Sequence, residues 1–137
     1  MTEQNKGYLI VVEGLDGVGK TTAISNATAS LKSMGVDVVR TAESAMEIEG
    51  LDNSFSATLI NLIRVKSTQE QADPTAQALM VNAARRAHYQ NVIKPLLEAG
   101  KVIIMDRFYL STFYNYQAKA EKNKEIYSIA MGDFEPD

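Results

Sequence analysis

The sequence contains no cysteine and no tryptophan, and it has one histidine and three prolines among its 137 residues. A chain without cysteine can form neither a disulfide framework nor a thiolate zinc site, and it has no thiol for nucleophilic catalysis. Disulfide-stabilised and thiol-dependent classes of protein are therefore excluded. The composition agrees with a cytoplasmic location, where disulfides are rare.

A basic excess and long apolar runs are absent as well. The net charge is −3, whereas general nucleic-acid binding requires a positive surface. No apolar run approaches the roughly 20 residues that cross a bilayer, and residues 1–6 lack the apolar core of a signal peptide. We therefore expect no nucleic-acid and no membrane partner. Because 45% of the residues are hydrophobic, residues 1–137 are sufficient for the core of one domain.

One motif stands out against this ordinary background. Residues 14–21 follow the pattern glycine, four residues, glycine-lysine-threonine of a phosphate-binding loop. Its glycines permit a backbone that turns successive N–H groups toward phosphate oxygens. The lysine reaches the β and γ phosphates, and the threonine hydroxyl ligates Mg²⁺. The predicted ATP-binding residues are Gly14, Leu15, Asp16, Gly17, Val18, Gly19, Lys20, Thr21 and Thr22.

The flanks of the motif have the patterns that such a loop requires. Residues 8–13 predict a buried strand, and residues 20–34 predict a helix that ends before Gly35. A glycine-rich turn that binds nothing is the alternative, and the agreement of pattern and context disfavours it.

The rest of the chain continues the alternation of strands and helices. Strands are predicted at 36–40 and 101–106, and helices at 54–65, 73–93, 109–120 and 123–132, with Pro95 breaking or kinking the third helical region. Alternating strands and helices indicate an α/β fold, with a parallel sheet between two helical layers. We therefore expect a three-layer α/β/α phosphate-loop (P-loop) NTPase fold with about three strands.

Charged residues follow the predicted strands at the edge of the sheet where ligands bind. Asp106 ends the third strand, where an acid can hold Mg²⁺, and Arg107 follows it directly. Arg40 ends the second predicted strand. Two arginines beside a phosphate loop suggest a second anionic group, which favours phosphoryl transfer to a phosphorylated acceptor over hydrolysis. Each arginine taken alone is better explained as a surface charge.

Other polar residues are open to two interpretations. Asp16 either faces Mg²⁺ or an acceptor hydroxyl, or is a solvent-facing loop residue. Arg85 shares a helix face with Asn82, whereas Arg86 is predicted to face solvent. His88 is predicted to be a surface or partly packed residue. Aromatic residues near the third strand form either a pocket wall or core, namely Phe108, Tyr109, Phe113, Tyr114 and Tyr116.

Together these segments resemble the thymidylate kinase family over about residues 8–137. The segments that carry the resemblance are 12–21, Arg40 with Glu43, 83–85 followed by 92–101, and 106–108 with 110–112 and 116–117. The resemblance implies ATP-dependent phosphorylation of dTMP to dTDP, with ATP and Mg²⁺ as cofactors. A GTPase is disfavoured, since an Asn-Lys-x-Asp guanine motif is absent.

The resemblance also implies a role for each site residue. Lys20, Asp106 and Arg107 would be catalytic, and Thr21 and Asp106 would hold the metal. The acceptor would be bound by Asp16 at its 3′-hydroxyl, by Arg40 and Arg107 at its phosphate, and by Arg85 at its base.

Two departures from the family pattern affect these expectations. Val81 stands four residues before Arg85, where the family usually has an aromatic residue that stacks on thymine. The chain also ends before the segment that would hold a flexible lid and further strands, so the domain is expected to be partial. A catalytically impaired nucleotide-binding remnant and a kinase for another deoxynucleoside monophosphate are the alternatives. A homodimer and a complementing C-terminal chain are both open as protein partners.

Overall fold

The computed structural model describes residues 6–14, 19–42, 54–69, 73–106 and 122–131. Its strands are β1 (Tyr8–Val12), β2 (Val38–Ala42) and β3 (Val102–Asp106). Its helices are α1 (Lys20–Ser33), α2 (Phe55–Gln69), α3 (Pro74–His88), a π-helical segment (Tyr89–Ile93), α4 (Lys94–Glu98) and α5 (Asn123–Met131). Within these described residues, no helix is both long and apolar enough to span a membrane.

The three strands form a parallel sheet in the order β1-β3-β2, with β3 in the centre. One face packs on α1 through a core that includes Ile24, Val38 and Ile104. The other face packs on the π-helical segment and α4 through Leu9, Ile93, Ile103 and Met105. Helices thus cover both faces, which confirms the predicted three-layer α/β/α architecture.

The second strand begins later than predicted. It runs from Val38 to Ala42, and the preceding turn is made by Gly35 with a φ of 81°. This left-handed backbone favours glycine and ends α1, as the sequence predicted. The strand bounds 36–40 were wrong because the β2–β3 register pairs Val38 with Val102 and Ala42 with Asp106. Arg40 therefore lies within the strand and not at its end.

Pro95 does not end the helical region. The five residues before α4 form a π-helical segment, in which the Lys94 N–H bonds the Tyr89 carbonyl five residues back. Proline has no N–H and its ring clashes with the carbonyl four residues earlier. The wider π turn accommodates Pro95 at the start of α4, so helical structure continues to Glu98.

The other three predicted helices have different outcomes. The helix predicted over 123–132 is confirmed as α5, whereas the helix predicted over 109–120 lies outside the described residues. The helix predicted over 54–65 is longer than expected: α2 continues to Gln69. Helices α2 and α3 pack against each other, and α5 packs on α3.

Candidate active site

The carboxyl ends of the three strands meet at one edge of the sheet. Val12, Asp106 and Ala42 are the last paired residues of β1, β3 and β2 and lie side by side in the register. Glu13 and Gly14 leave β1 at this edge, where they lead into the predicted phosphate loop. The parallel register therefore confirms that the residues leading into the predicted loop and the acidic end of β3 lie at the same edge.

The second half of the loop motif leads directly into α1. Gly19 precedes the helix with a φ of 89°, a left-handed conformation. A Cβ at this position would meet nothing within 4 Å, so the backbone angle and not crowding calls for glycine. The first turn of α1 contains no acidic residue, and Thr21 and Thr22 are exposed there. The positive end of the helix dipole is thus accessible to an anion.

An ion pair links the loop lysine to the end of the central strand. The Lys20 Nζ donates to the Asp106 Oδ1, and the two side chains are only 11% and 18% exposed. These residues are 86 positions apart in the chain. The pair brings the lysine that follows Gly19 together with the carboxylate at the end of β3, and the catalytic roles of both residues stay predictions.

The oxygen donors at this edge fit a magnesium ion that is shared with a nucleotide. Mg²⁺ is usually held by one or two protein groups together with phosphate oxygens and water. Asp106 offers a carboxylate and Thr21 an exposed hydroxyl at the adjacent helix start. Among the described residues there is no cluster of three or more metal-ligating side chains.

Arg40 extends from β2 toward α1. Its Nη1 donates to the Ser25 Oγ at 3.1 Å, five residues along α1 from Lys20. The prediction that Arg40 ends the strand was wrong, since Ala42 occupies the strand end opposite Asp106. The role of Arg40 at an acceptor phosphate stays a prediction.

Arg85 lies on the other side of the sheet and is almost completely buried, at 1% exposure. Its Nη1 donates to the Asn82 Oδ1 at 2.7 Å, and the Asn82 Nδ2 donates to the Ala78 carbonyl at 2.7 Å. The predicted shared face of Asn82 and Arg85 is thereby confirmed, and Arg86 is exposed as expected. Asn82 holds the guanidinium in one orientation within the core.

Arg40 and Arg85 are not brought to the same face of the sheet. Successive residues of a strand point to opposite faces. Arg40 bonds α1, whereas its neighbour Thr41 bonds His88 at the end of α3. Arg85 belongs to the α3 side, because it lies one turn before His88 on the same helix. The predicted set of acceptor-binding arginines is thus split between two layers.

His88 is the polar residue that the sequence did not predict correctly. It is 2% exposed and not a surface residue, and its Nε2 lies 3.0 Å from the Thr41 Oγ1. Burial lowers the pKa of His88 from 6.5 to about 4, so the ring is neutral near pH 7. The spacing of three that joins Asn82, Arg85 and His88 on one helix face was the available signal.

Val81 occupies the position at which a stacking aromatic residue was expected, and it is 1% exposed. It therefore packs in the core one turn before Arg85. Other predicted site residues lie outside the described part of the chain, namely Leu15, Asp16, Gly17, Val18 and Arg107. The aromatic group from Phe108 to Tyr116 lies there too, and the roles of all these residues stay predictions.

Comparison with known proteins decides the family. A family model for thymidylate kinase matches residues 12–137. The chain belongs to the thymidylate kinase family. The match begins at the last residue of β1 and includes both partners of the Lys20–Asp106 pair.

Individual relatives of this chain agree with the family match. The chain is 32% identical to a thymidylate kinase of Rhizorhabdus wittichii over 136 residues and 34% identical to one of Cereibacter sphaeroides over 137 residues. These alignments cover 96% of this chain but 62% and 59% of the two relatives. The chain therefore spans about three fifths of the length of these relatives.

A solved structure shares the fold. The thymidylate kinase of Ehrlichia chaffeensis superimposes with a TM-score of 0.71 at 28% identity. The superposition covers 96% of this chain and 72% of that structure. The parallel sheet with helices on both faces is thus the fold of the family.

Proposed function

We propose that this chain carries the phosphoryl-transfer core of a thymidylate kinase, which converts ATP and dTMP to ADP and dTDP. The proposal rests above all on the Lys20–Asp106 pair. Its lysine directly follows Gly19, where the phosphate-loop motif that begins at Gly14 leads into α1. Family membership supports the same reaction. Phosphoryl transfer requires positioning and charge neutralisation and no covalent intermediate.

The α1 side of the sheet would bind the phosphate donor. The Lys20 ammonium would contact the β and γ phosphates, and the N–H groups of the first turn of α1 would bind phosphate oxygens. Thr21 and Asp106 would hold Mg²⁺, which when bound neutralises charge on the phosphates. Asp106 already contacts Lys20, so the carboxylate and the ammonium are close enough to serve the same polyphosphate.

The α3 side would bind the base of the acceptor. Arg85 would donate hydrogen bonds to the base, and Asn82 would hold the guanidinium in place. Arg40 and Arg107 would contact the acceptor phosphate, and Asp16 the 3′-hydroxyl. These last roles rest on the resemblance alone.

A coupled assay of ADP release with ATP and dTMP tests the proposal. Turnover in the wild-type chain, lost in Lys20→Ala and retained in Lys32→Ala, would support it. Lys32 is the matched control because it is an exposed lysine in the last turn of the same helix. The absence of turnover with any deoxynucleoside monophosphate would instead favour the alternative, a nucleotide-binding remnant.

A second candidate is a kinase for another deoxynucleoside monophosphate. The observation that favours it is Val81, a buried aliphatic residue where a stacking ring was expected. Loss of a stacking partner removes roughly 1–3 kcal/mol of affinity per base in nucleic-acid complexes. The assay should therefore compare dTMP, dUMP, dCMP, dAMP and dGMP at equal concentration. The acceptor with the highest kcat/KM decides between the two candidates.

A further inference from the structure

One polar contact on the α3 side is not explained by the proposed reaction. His88 and Thr41 bond each other in the core, at 2% and 0% exposure, and they are 47 residues apart in the chain. The second ring nitrogen of His88, Nδ1, has no hydrogen-bond partner among the described residues. A buried nitrogen without a partner destabilises a fold, so an apolar side chain would suit packing alone better.

This contact lies between two parts of the site, the ends of the strands and the helix α3. Thr41 lies one residue before Ala42, which pairs with Asp106 in the sheet. His88 lies three residues after Arg85 on the same face of α3. The bond therefore joins the helix that carries Arg85 to the strand position beside the Lys20–Asp106 pair.

We propose that His88 is a positioning residue, which through Thr41 fixes Arg85 of α3 relative to the phosphate-binding edge of the sheet. Asn82 orients the guanidinium within its own helix, and His88 places the helix against β2. The inference rests on the proposed function, in which Arg85 binds the acceptor base. The His88–Thr41 bond would then set the distance between the bound base and the bound phosphates.

The test uses two replacements of Thr41 that differ in the hydroxyl. Thr41→Val keeps the branched shape and removes the hydroxyl, whereas Thr41→Ser keeps the hydroxyl and removes a methyl group. Binding of dTMP and of ATP to the full chain is measured by calorimetry. We expect Thr41→Val to weaken dTMP binding about tenfold while ATP affinity stays within about twofold. Thr41→Ser should bind both nucleotides nearly as the wild type does.

A second pair of variants approaches the bond from the helix side. The amide of His88→Gln can still reach the Thr41 hydroxyl, whereas His88→Ala cannot. We expect His88→Ala to weaken dTMP binding like Thr41→Val, and His88→Gln to restore most of it. A thermal unfolding curve of each variant separates loss of the folded state from loss of binding.

The other outcomes have distinct meanings. If Thr41→Val and His88→Ala bind dTMP as the wild type does, the positioning role is overturned and the proposed function stands. If both nucleotides are weakened equally, or only the melting temperature falls, the bond is merely structural and the role is overturned. A wild-type chain that binds no dTMP would overturn the acceptor assignment and this role together.

Discussion

The two faces of the sheet carry polar groups in opposite ways. On the α1 side, Lys20 pairs with Asp106 at side-chain exposures of 11% and 18%, so solvent still reaches both groups. On the α3 side, Arg85, His88 and Thr41 are at most 2% exposed. The first arrangement leaves charges accessible to a ligand, whereas the second makes its polar groups part of the core.

This difference predicts different effects of substitutions on the two sides. A partly exposed ion pair contributes less to folding than a fully buried polar network, because the solvent that reaches it screens the charges. Buried polar groups must be satisfied by one another, since each unsatisfied group is costly. Substitutions on the α1 side should therefore change activity more than stability. Substitutions on the α3 side should change stability first.

The strongest test of the comparison is Lys20→Ala. We expect a loss of at least about 100-fold in kcat, because one preorganised charge on the reacting phosphates is removed. The free energy of unfolding should change by less than about 1 kcal/mol. Coupled ADP release and urea unfolding measure the two quantities. Equal activity of Lys20→Ala and Lys32→Ala would contradict the assignment of the α1 side.

Arg85→Ala tests the α3 side. Its removal leaves a cavity and takes away the hydrogen bond that the Asn82 Oδ1 accepts, so we expect a loss of roughly 3–4 kcal/mol in the free energy of unfolding. Arg86→Ala removes the same charge from an exposed position and should cost less than about 0.5 kcal/mol. Urea titrations of the three proteins check this. Similar midpoints for both variants would show that Arg85 is not part of the core.

His88 predicts a dependence of stability on pH. Its folded pKa of about 4 lies below the unfolded value of 6.5. The unfolded chain therefore binds more protons between these values, and stability falls as pH decreases from 6.5 to 4. Above pH 6.5 no such loss occurs. The full loss is on the order of 3 kcal/mol.

His88→Gln provides the control, because glutamine does not titrate. Urea titrations across pH 4–7.5 give the free energy of unfolding of wild type and variant. As the pH is lowered from 6.5 to 4, the wild type should lose stability relative to the variant by the histidine contribution. Parallel curves would mean that the imidazole is not held neutral in the core.

The smallest expected effect concerns two serines at the start of α2. The Ser56 hydroxyl is buried and has no hydrogen-bond partner among the described residues. Ser56→Ala should therefore stabilise the fold by about 1 kcal/mol. Ser54→Ala should do the opposite by a similar amount, because the Ser54 Oγ accepts a hydrogen bond from the Ala57 N–H. Shifts of the same sign in a thermal melt would contradict this assignment.

Much of the α1 side was predictable from the sequence. Strand, glycine loop and helix follow one another within a short segment, so local pattern alone located Lys20 and the start of α1. The convergence with Asp106 followed from the rule that parallel strands end at one edge. The family model matches over both segments.

The α3 side was less accessible to prediction. The spacing of three puts His88 on the helix face of Asn82 and Arg85, but it does not tell whether that face is buried. The burial of His88 depends on Thr41, whose own direction depends on the β2 register. The prediction that Arg40 ends its strand was wrong for the same reason. The strand begins and ends two residues later than predicted, so Arg40 lies within it.

The order of strands and helices and the phosphate-loop motif follow from local sequence, because glycine conformations, proline at a helix start and apolar periodicity act within a few residues of the chain. The β1-β3-β2 strand order, the Lys20–Asp106 pair and the separation of Arg40 from Arg85 follow from the packing of distant segments. These depend on register between strands far apart in sequence. Register is a property of paired segments and of the helices that cover them, and no single segment encodes it.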